Sequence, residues 1–121
     1  MMRSVGRVVG WLCLFSLYGC SAEGAWTIAC DQVEPVTIVV SDSGGEISGT
    51  AIDPNFHPTE PRWEIMGSCS NMCCEFKLFD QVTGFNDEDE PMLACPEAEL
   101  GTSVMCYYAV LGMDVSCVVH R

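Results

Sequence analysis

VTIVVSD at residues 36–42 and EISGTAI at residues 46–52, joined by Ser43-Gly44-Gly45, decide the fold class of this chain. Both segments are short and rich in β-branched residues, which fit the half-buried surface of a pleated sheet. The serine and glycines between them favour a tight turn. The stretch therefore predicts a β-hairpin, in which Gly49 is the candidate position for a bulge.

Strand signals continue on both sides of this hairpin. The further predicted strands are residues 25–30, 63–66, 74–79, 102–111 and 115–120. In CEFKLF (74–79) apolar and charged residues alternate, as in a strand with one buried face. TSVMCYYAVL (102–111) is apolar on both faces, which predicts a central strand that Gly112-Met113-Asp114 turns into the last one.

Two segments lack strand signals. Residues 53–62 contain three prolines and predict a loop, and residues 84–101 predict a long irregular connection pinned by Cys95. Helix is confined to a turn at residues 97–100 and to residues 68–73. The predicted fold is all-β: a small disulfide-stapled antiparallel β-sandwich of about six or seven strands. An α+β layout is the alternative.

The N-terminus has the order of residue types found in an export signal. Arg3 and Arg7 precede the apolar run of residues 8–18, and no other charge lies before Cys20. As a helix the run would extend about 17 Å, which is too short to cross a bilayer core. Residues 1–19 are therefore predicted to be a signal peptide that is removed.

Leu17-Tyr18-Gly19-Cys20 resembles the lipobox of bacterial lipoproteins, although Tyr18 is larger than the residue usual there. The resemblance implies cleavage before Cys20 and a diacylglycerol on its sulfur, so that the membrane is a partner through this lipid. Ser21 after the cysteine implies the outer membrane. Residues 20–25 are then the lipidated cysteine and a short tether, and residues 26–121 form a single cysteine-rich β domain. The alternative is ordinary secretion, with cleavage after Ala22 or Ala25.

Charge restricts the partners of the exported chain. Arg3 and Arg7 leave with the signal, so 17 acidic residues face three basic ones, a formal net charge of −14. Nucleic acid is excluded as a partner, because phosphate binding requires an excess of lysine and arginine. Anionic lipid head groups would also repel the protein part.

Cysteine is the second strong signal. The seven cysteines after Cys20 predict structural disulfides in an oxidising compartment: Cys30, Cys69, Cys73, Cys74, Cys95, Cys106 and Cys117. An odd number leaves at least one thiol without an intramolecular partner. Cys73 and Cys74 are neighbours and should not bond each other. The predicted last hairpin pairs Cys106 with His120, which places Cys106 and Cys117 on opposite faces, so each should bond outside that hairpin.

The sequence contains weak candidates for a metal site and none for catalysis. Asp87, Asp89 and Glu90 could offer oxygen ligands to calcium, but they do not fit the EF-hand pattern, and solvation of the acidic run is the simpler interpretation. There is no C-x-x-C pair for zinc or thioredoxin-type chemistry. His57 and His120 have no partner at a catalytic spacing. No catalytic residue, resident metal or cofactor is predicted.

These observations favour a lipid-anchored protein of the bacterial cell envelope that acts as a non-enzymatic structural or interaction module. One alternative is a small envelope enzyme or thiol-redox protein that uses an unpaired cysteine near Cys73-Cys74. Another is a calcium-dependent binding module built on residues 87–90. The sequence does not identify the protein or ligand partner.

Overall fold

The computed structural model describes residues 21–121. All of the regular secondary structure assigned in that range is β-strand. The strands are β1 (Gly24–Cys30), β2 (Val36–Ser43), β3 (Glu46–Ile52), β4 (Pro61–Ser70), β5 (Cys73–Asp80), β6 (Asn86–Asp87), β7 (Glu90–Pro91), β8 (Leu93–Glu99), β9 (Ser103–Tyr108) and β10 (Met113–His120). Among the described residues, no helix is long and apolar enough to cross a membrane. The predicted signal peptide and Cys20 lie outside this range.

Eight of the strands close into an antiparallel barrel, in the order β1-β10-β9-β8-β5-β4-β3-β2. The two short strands β6 and β7 form a separate hairpin inserted between β5 and β8. The all-β antiparallel prediction is confirmed, but the sandwich is wrong. One sheet curls until its first and last strands pair, so its hydrophobic face is buried against itself and no edge is left open.

Two glycines permit the sheet to bend tightly enough to close. A Cβ added at Gly49 would lie 2.1 Å from the carbonyl oxygen of Val39, and one added at Gly67 would lie 2.1 Å from that of Glu75. Neighbouring backbones therefore pass too close for any side chain, as at the bends of a curved sheet. The bulge predicted at Gly49 lies instead between Ala51 and Ile52.

The barrel interior is filled by side chains. Trp26 and Phe76 meet edge to face across it, with ring centroids 5.8 Å apart, and aliphatic side chains from all eight barrel strands belong to the core or pack against it. Strands β2 and β5 show the period-two burial of a half-buried strand. An eight-stranded barrel is just wide enough for its own side chains, which accounts for the packed interior.

Two segments that were predicted to contain no strand do contain strand residues. Residues 68–73 hold the end of β4, a tight turn at Asn71-Met72 with positive φ at both residues, and the start of β5. Residues 84–101 include β8, although this segment contains Pro96. Pro96 is absent from the paired positions of β8 with β5 and with β9, so its missing N–H removes no ladder hydrogen bond.

The last hairpin turns earlier than predicted. Tyr108 pairs with Met113, so the turn comprises Ala109 to Gly112 rather than Gly112 to Asp114. Gly112 ends this turn with φ of 66°, and its N–H donates to the carbonyl oxygen of Tyr108 at 2.9 Å. Glycine adopts this positive φ without strain, so the turn ends at Gly112 and β10 begins at the next residue.

Candidate functional site

Three disulfides join neighbouring strands of the barrel. Their pairs are Cys30–Cys117 between β1 and β10, Cys69–Cys74 between β4 and β5, and Cys95–Cys106 between β8 and β9. The prediction that Cys106 and Cys117 bond outside their hairpin is confirmed. The prediction that Cys106 and Cys117 lie on opposite faces of the hairpin is wrong. Cys106 pairs with Val115 and therefore lies on the inner face, as Cys117 does.

Cys73 has no disulfide partner among the described residues, and it does not bond its neighbour Cys74. Partial burial raises the pKa of the Cys73 thiol, and the carboxylates of Glu97 and Glu99 raise it further. A reactive thiol requires the opposite, a lowered pKa beside positive charge. This environment therefore disfavours the thiol-redox alternative.

The candidate calcium ligands lie on the hairpin of β6 and β7. Asp87 pairs with Glu90 across the hairpin, and the Asp89 N–H donates to Oδ1 of Asp87 at 3.1 Å. All three residues are exposed. In residues 21–121 no group of three or more His, Cys, Asp or Glu side chains is placed to hold a metal ion.

A buried ion-pair network lies at the barrel end opposite to the chain termini. Asp80 is only 1% exposed, and both of its carboxylate oxygens accept hydrogen bonds from Arg62. The same guanidinium donates to Asp53 at 2.7 Å, and this hydrogen bond holds the pKa of Asp53 below its usual value. The network ties the loop after β3 to the ends of β4 and β5 and has the geometry of a structural clamp. The sequence analysis did not single out Arg62 or Asp80.

The outer wall of the barrel carries an open groove of about 960 Å³. Along it runs a row of outward-facing residues at paired positions on successive strands from β3 to β10: Ser48, Met66, Lys77, Ala94, Tyr107 and Asp114. Met105 lies two residues before Tyr107 and also lines the groove. The register of six neighbouring strands thus assembles one continuous surface.

Apart from Lys77, the middle of this groove is apolar. Met66 is 44% exposed, Met105 55% and Tyr107 48%. Flexible thioethers and an amphipathic aromatic ring are the side chains most often found at protein-binding surfaces. The sequence predicted the strand of Met105 and Tyr107 to be central because it is apolar on both faces, whereas these two side chains are exposed on the outer wall. Their assembly with Met66 into one groove depends on the barrel register.

The chain immediately after Cys20 is fixed to the barrel. Ala22 is 1% exposed, its N–H donates to Asp42 at 2.9 Å, and its carbonyl oxygen accepts the indole N–H of Trp26 at 2.7 Å. Arg121 donates to the carbonyl oxygens of Ser21 and Glu23. The described part of the predicted tether is therefore held to the domain by the burial of Ala22 and by these hydrogen bonds, and its last two residues, Gly24 and Ala25, belong to β1.

Comparison of this chain with protein-family models, with curated proteins and with solved structures finds no match. The function must be argued from the residues themselves.

Proposed function

We propose that this chain is a lipid-anchored, non-enzymatic interaction module of the bacterial cell envelope, held in the outer membrane through Cys20. The observation that carries the anchor is the burial of Ala22. Secretory cleavage after Ala22 would remove this residue together with the acceptor of the Trp26 indole, and cleavage after Ala25 would also remove the start of β1. Cleavage before Cys20 leaves the barrel whole.

The barrel topology orients an anchored molecule. The hairpin turns at Gly44-Gly45 and Asn71-Met72 lie at the same end as the start of β1, because consecutive antiparallel strands alternate in direction. The longer connections, residues 53–60 and 81–92, lie at the opposite end. A lipid on Cys20 would therefore direct the long connections away from the membrane and leave the groove on the side wall accessible.

Metabolic labelling tests the anchor. We expect the wild-type protein to incorporate radioactive palmitate and to fractionate with the outer membrane. Cys20→Ala should abolish the label and either release the protein or stall its processing. Cys13→Ala is the matched control, because Cys13 lies within the predicted signal and its loss should change nothing. An unlabelled wild-type protein whose N-terminus is Glu23 or Trp26 would overturn the anchor.

Site-specific photo-crosslinking in intact cells tests the interaction role. A benzophenone amino acid at position 105 should give a discrete adduct, because Met105 lies in the groove. The same probe at position 39 is the control, because Val39 is 65% exposed but lies on β2 outside the groove. Equal adduct formation at both positions, or none at either, would contradict an interaction module that acts through this surface.

A further inference from the structure

The groove on the outer wall combines an apolar floor, formed by the exposed side chains of Met66, Met105 and Tyr107, with an acidic rim. Glu46, Glu75, Glu88 and Asp114 line it, and Lys77 is the only basic residue among its lining residues. The Lys77 ammonium donates to the carbonyl oxygen of Glu88 at 3.1 Å, so part of its donor capacity is already used. A neighbouring hollow of about 490 Å³ shares Glu46 and Glu75 with the groove and adds Glu97. Negative charge therefore borders the apolar floor.

The shape of the groove favours a polypeptide over a small molecule. Its apolar side chains stay roughly half exposed, so a compact ligand would leave much of its own surface in water, whereas pockets for small molecules bury most of the ligand. The row of six strands is about 24 Å long, the length of about seven extended residues. The barrel has no open edge in its eight-stranded sheet, so the segment would lie across the strands and would not extend the sheet.

Charge selects among the possible polypeptides. A second copy of this chain would bring another strongly acidic surface to the rim, and like charges in contact oppose association. A segment that alternates lysine or arginine with apolar residues would pair with the rim while its apolar side chains cover Met66, Met105 and Tyr107. We infer that the groove binds an extended, cationic, partly apolar segment of a partner protein. This inference rests on the proposed role as an interaction module.

Fluorescence anisotropy on the full processed protein in detergent tests the inference, with a labelled peptide of about eight residues that alternates lysine and leucine. Removing the rim charges in the triple variant E46Q/E75Q/D114N should weaken binding about ten-fold, because several exposed ion pairs are lost together. The matched triple variant D31N/E34Q/E60Q removes three exposed acids elsewhere and should change the affinity by less than about two-fold. Binding should also weaken with added salt.

The apolar floor is tested separately. The variant M66T/M105T/Y107T should weaken binding, whereas V39T/I52T, which changes exposed apolar residues away from the groove, should not. Absence of peptide binding at physiological salt, or equal losses in the two charge variants, would overturn the inference. So would binding of an oligolysine that is as tight as that of the lysine-leucine peptide. If the position-105 crosslink captures a neutral or acidic segment, the interaction role stands and the cationic partner is excluded.

Discussion

The surroundings of Cys73 disfavour its thiolate. Its thiol is partly buried and faces the carboxylates of Glu97 and Glu99, and both effects raise its pKa by disfavouring the thiolate. The adjacent Cys69–Cys74 bridge is thereby protected, because thiol–disulfide exchange requires a thiolate as the attacking group. An odd cysteine can persist here without scrambling the disulfides.

Neutralising these two acids should make Cys73 more reactive. In the variant E97Q/E99Q the pKa of Cys73 moves down towards its ordinary value, so more thiolate is present at pH 8. We expect iodoacetamide to alkylate Cys73 about two- to three-fold faster than in wild type, because Glu97 and Glu99 are exposed and the loss of two solvent-screened charges has a modest effect. The control variant D31N/E34Q should react at the wild-type rate, and the prediction fails if E97Q/E99Q does so too.

The bend of the strands depends on single glycine positions. At Gly67 a side chain would enter the space of Phe76 Cα and of the Glu75 carbonyl oxygen on the paired strand β5. The contact is with backbone, so a clash cannot be relieved by rotating a side chain. This position couples the curvature of β4 and β5 to closure of the barrel.

Gly67→Ala should therefore destabilise the protein, by about 2–4 kcal/mol in the free energy of unfolding. Ser68→Ala is the matched control: the neighbouring side chain is exposed, and its loss should change the stability by less than about 0.5 kcal/mol. Urea unfolding followed by tryptophan fluorescence would measure both. Similar stability of the two variants would show that β4 can bend without the glycine.

Local alternation predicted some strands well and others not. β2, β3 and β5 alternate buried and exposed residues, and their predicted bounds fall within a residue or so of the observed ones. The sequence did not predict β8, because Pro96 and the neighbouring acidic residues are typical of a loop. The strand tolerates this proline because the pairing of β8 with its neighbours is interrupted at Pro96. A pairing partner is a tertiary property, so a single strand cannot reveal it.

At the scale of the whole molecule, the sequence pattern of a sheet shows which residues are buried but not what covers them. The same alternation fits two sheets packed face to face and one sheet closed on itself, so the sandwich and the barrel were indistinguishable from the pattern. The groove could not be predicted either, since it requires Met66 and Tyr107 to be aligned in one row across β5 and β8. The cysteine inventory and parity, by contrast, predicted that the domain would contain structural disulfides and that a thiol would remain.

Two of the disulfides should differ strongly in their contribution to the free energy of unfolding. Cys30–Cys117 joins residues 87 positions apart and closes the seam of the barrel, whereas Cys69–Cys74 spans 5 positions within one hairpin. On the chain-entropy model, removing the seam bridge costs about 4–5 kcal/mol and removing the hairpin bridge about 2 kcal/mol. Urea unfolding of C30S/C117S and C69S/C74S measures the two losses, and the prediction is wrong if the hairpin bridge matters more.

The two ends of β1 carry different kinds of attachment, and this matters when the molecule is pulled. If Cys20 carries a lipid, a mechanical load applied through it would enter the barrel at Ala22 and the start of β1, where only hydrogen bonds and packing resist it. At the far end of the same strand, Cys30 is bonded to Cys117. Tension that peels β1 from its neighbours must therefore stop at Cys30, where a covalent path carries the force into β10. With such an anchor the seam would act as a mechanical stop, so a pull from the membrane would extend only the first strand and leave the wall bearing the groove in place.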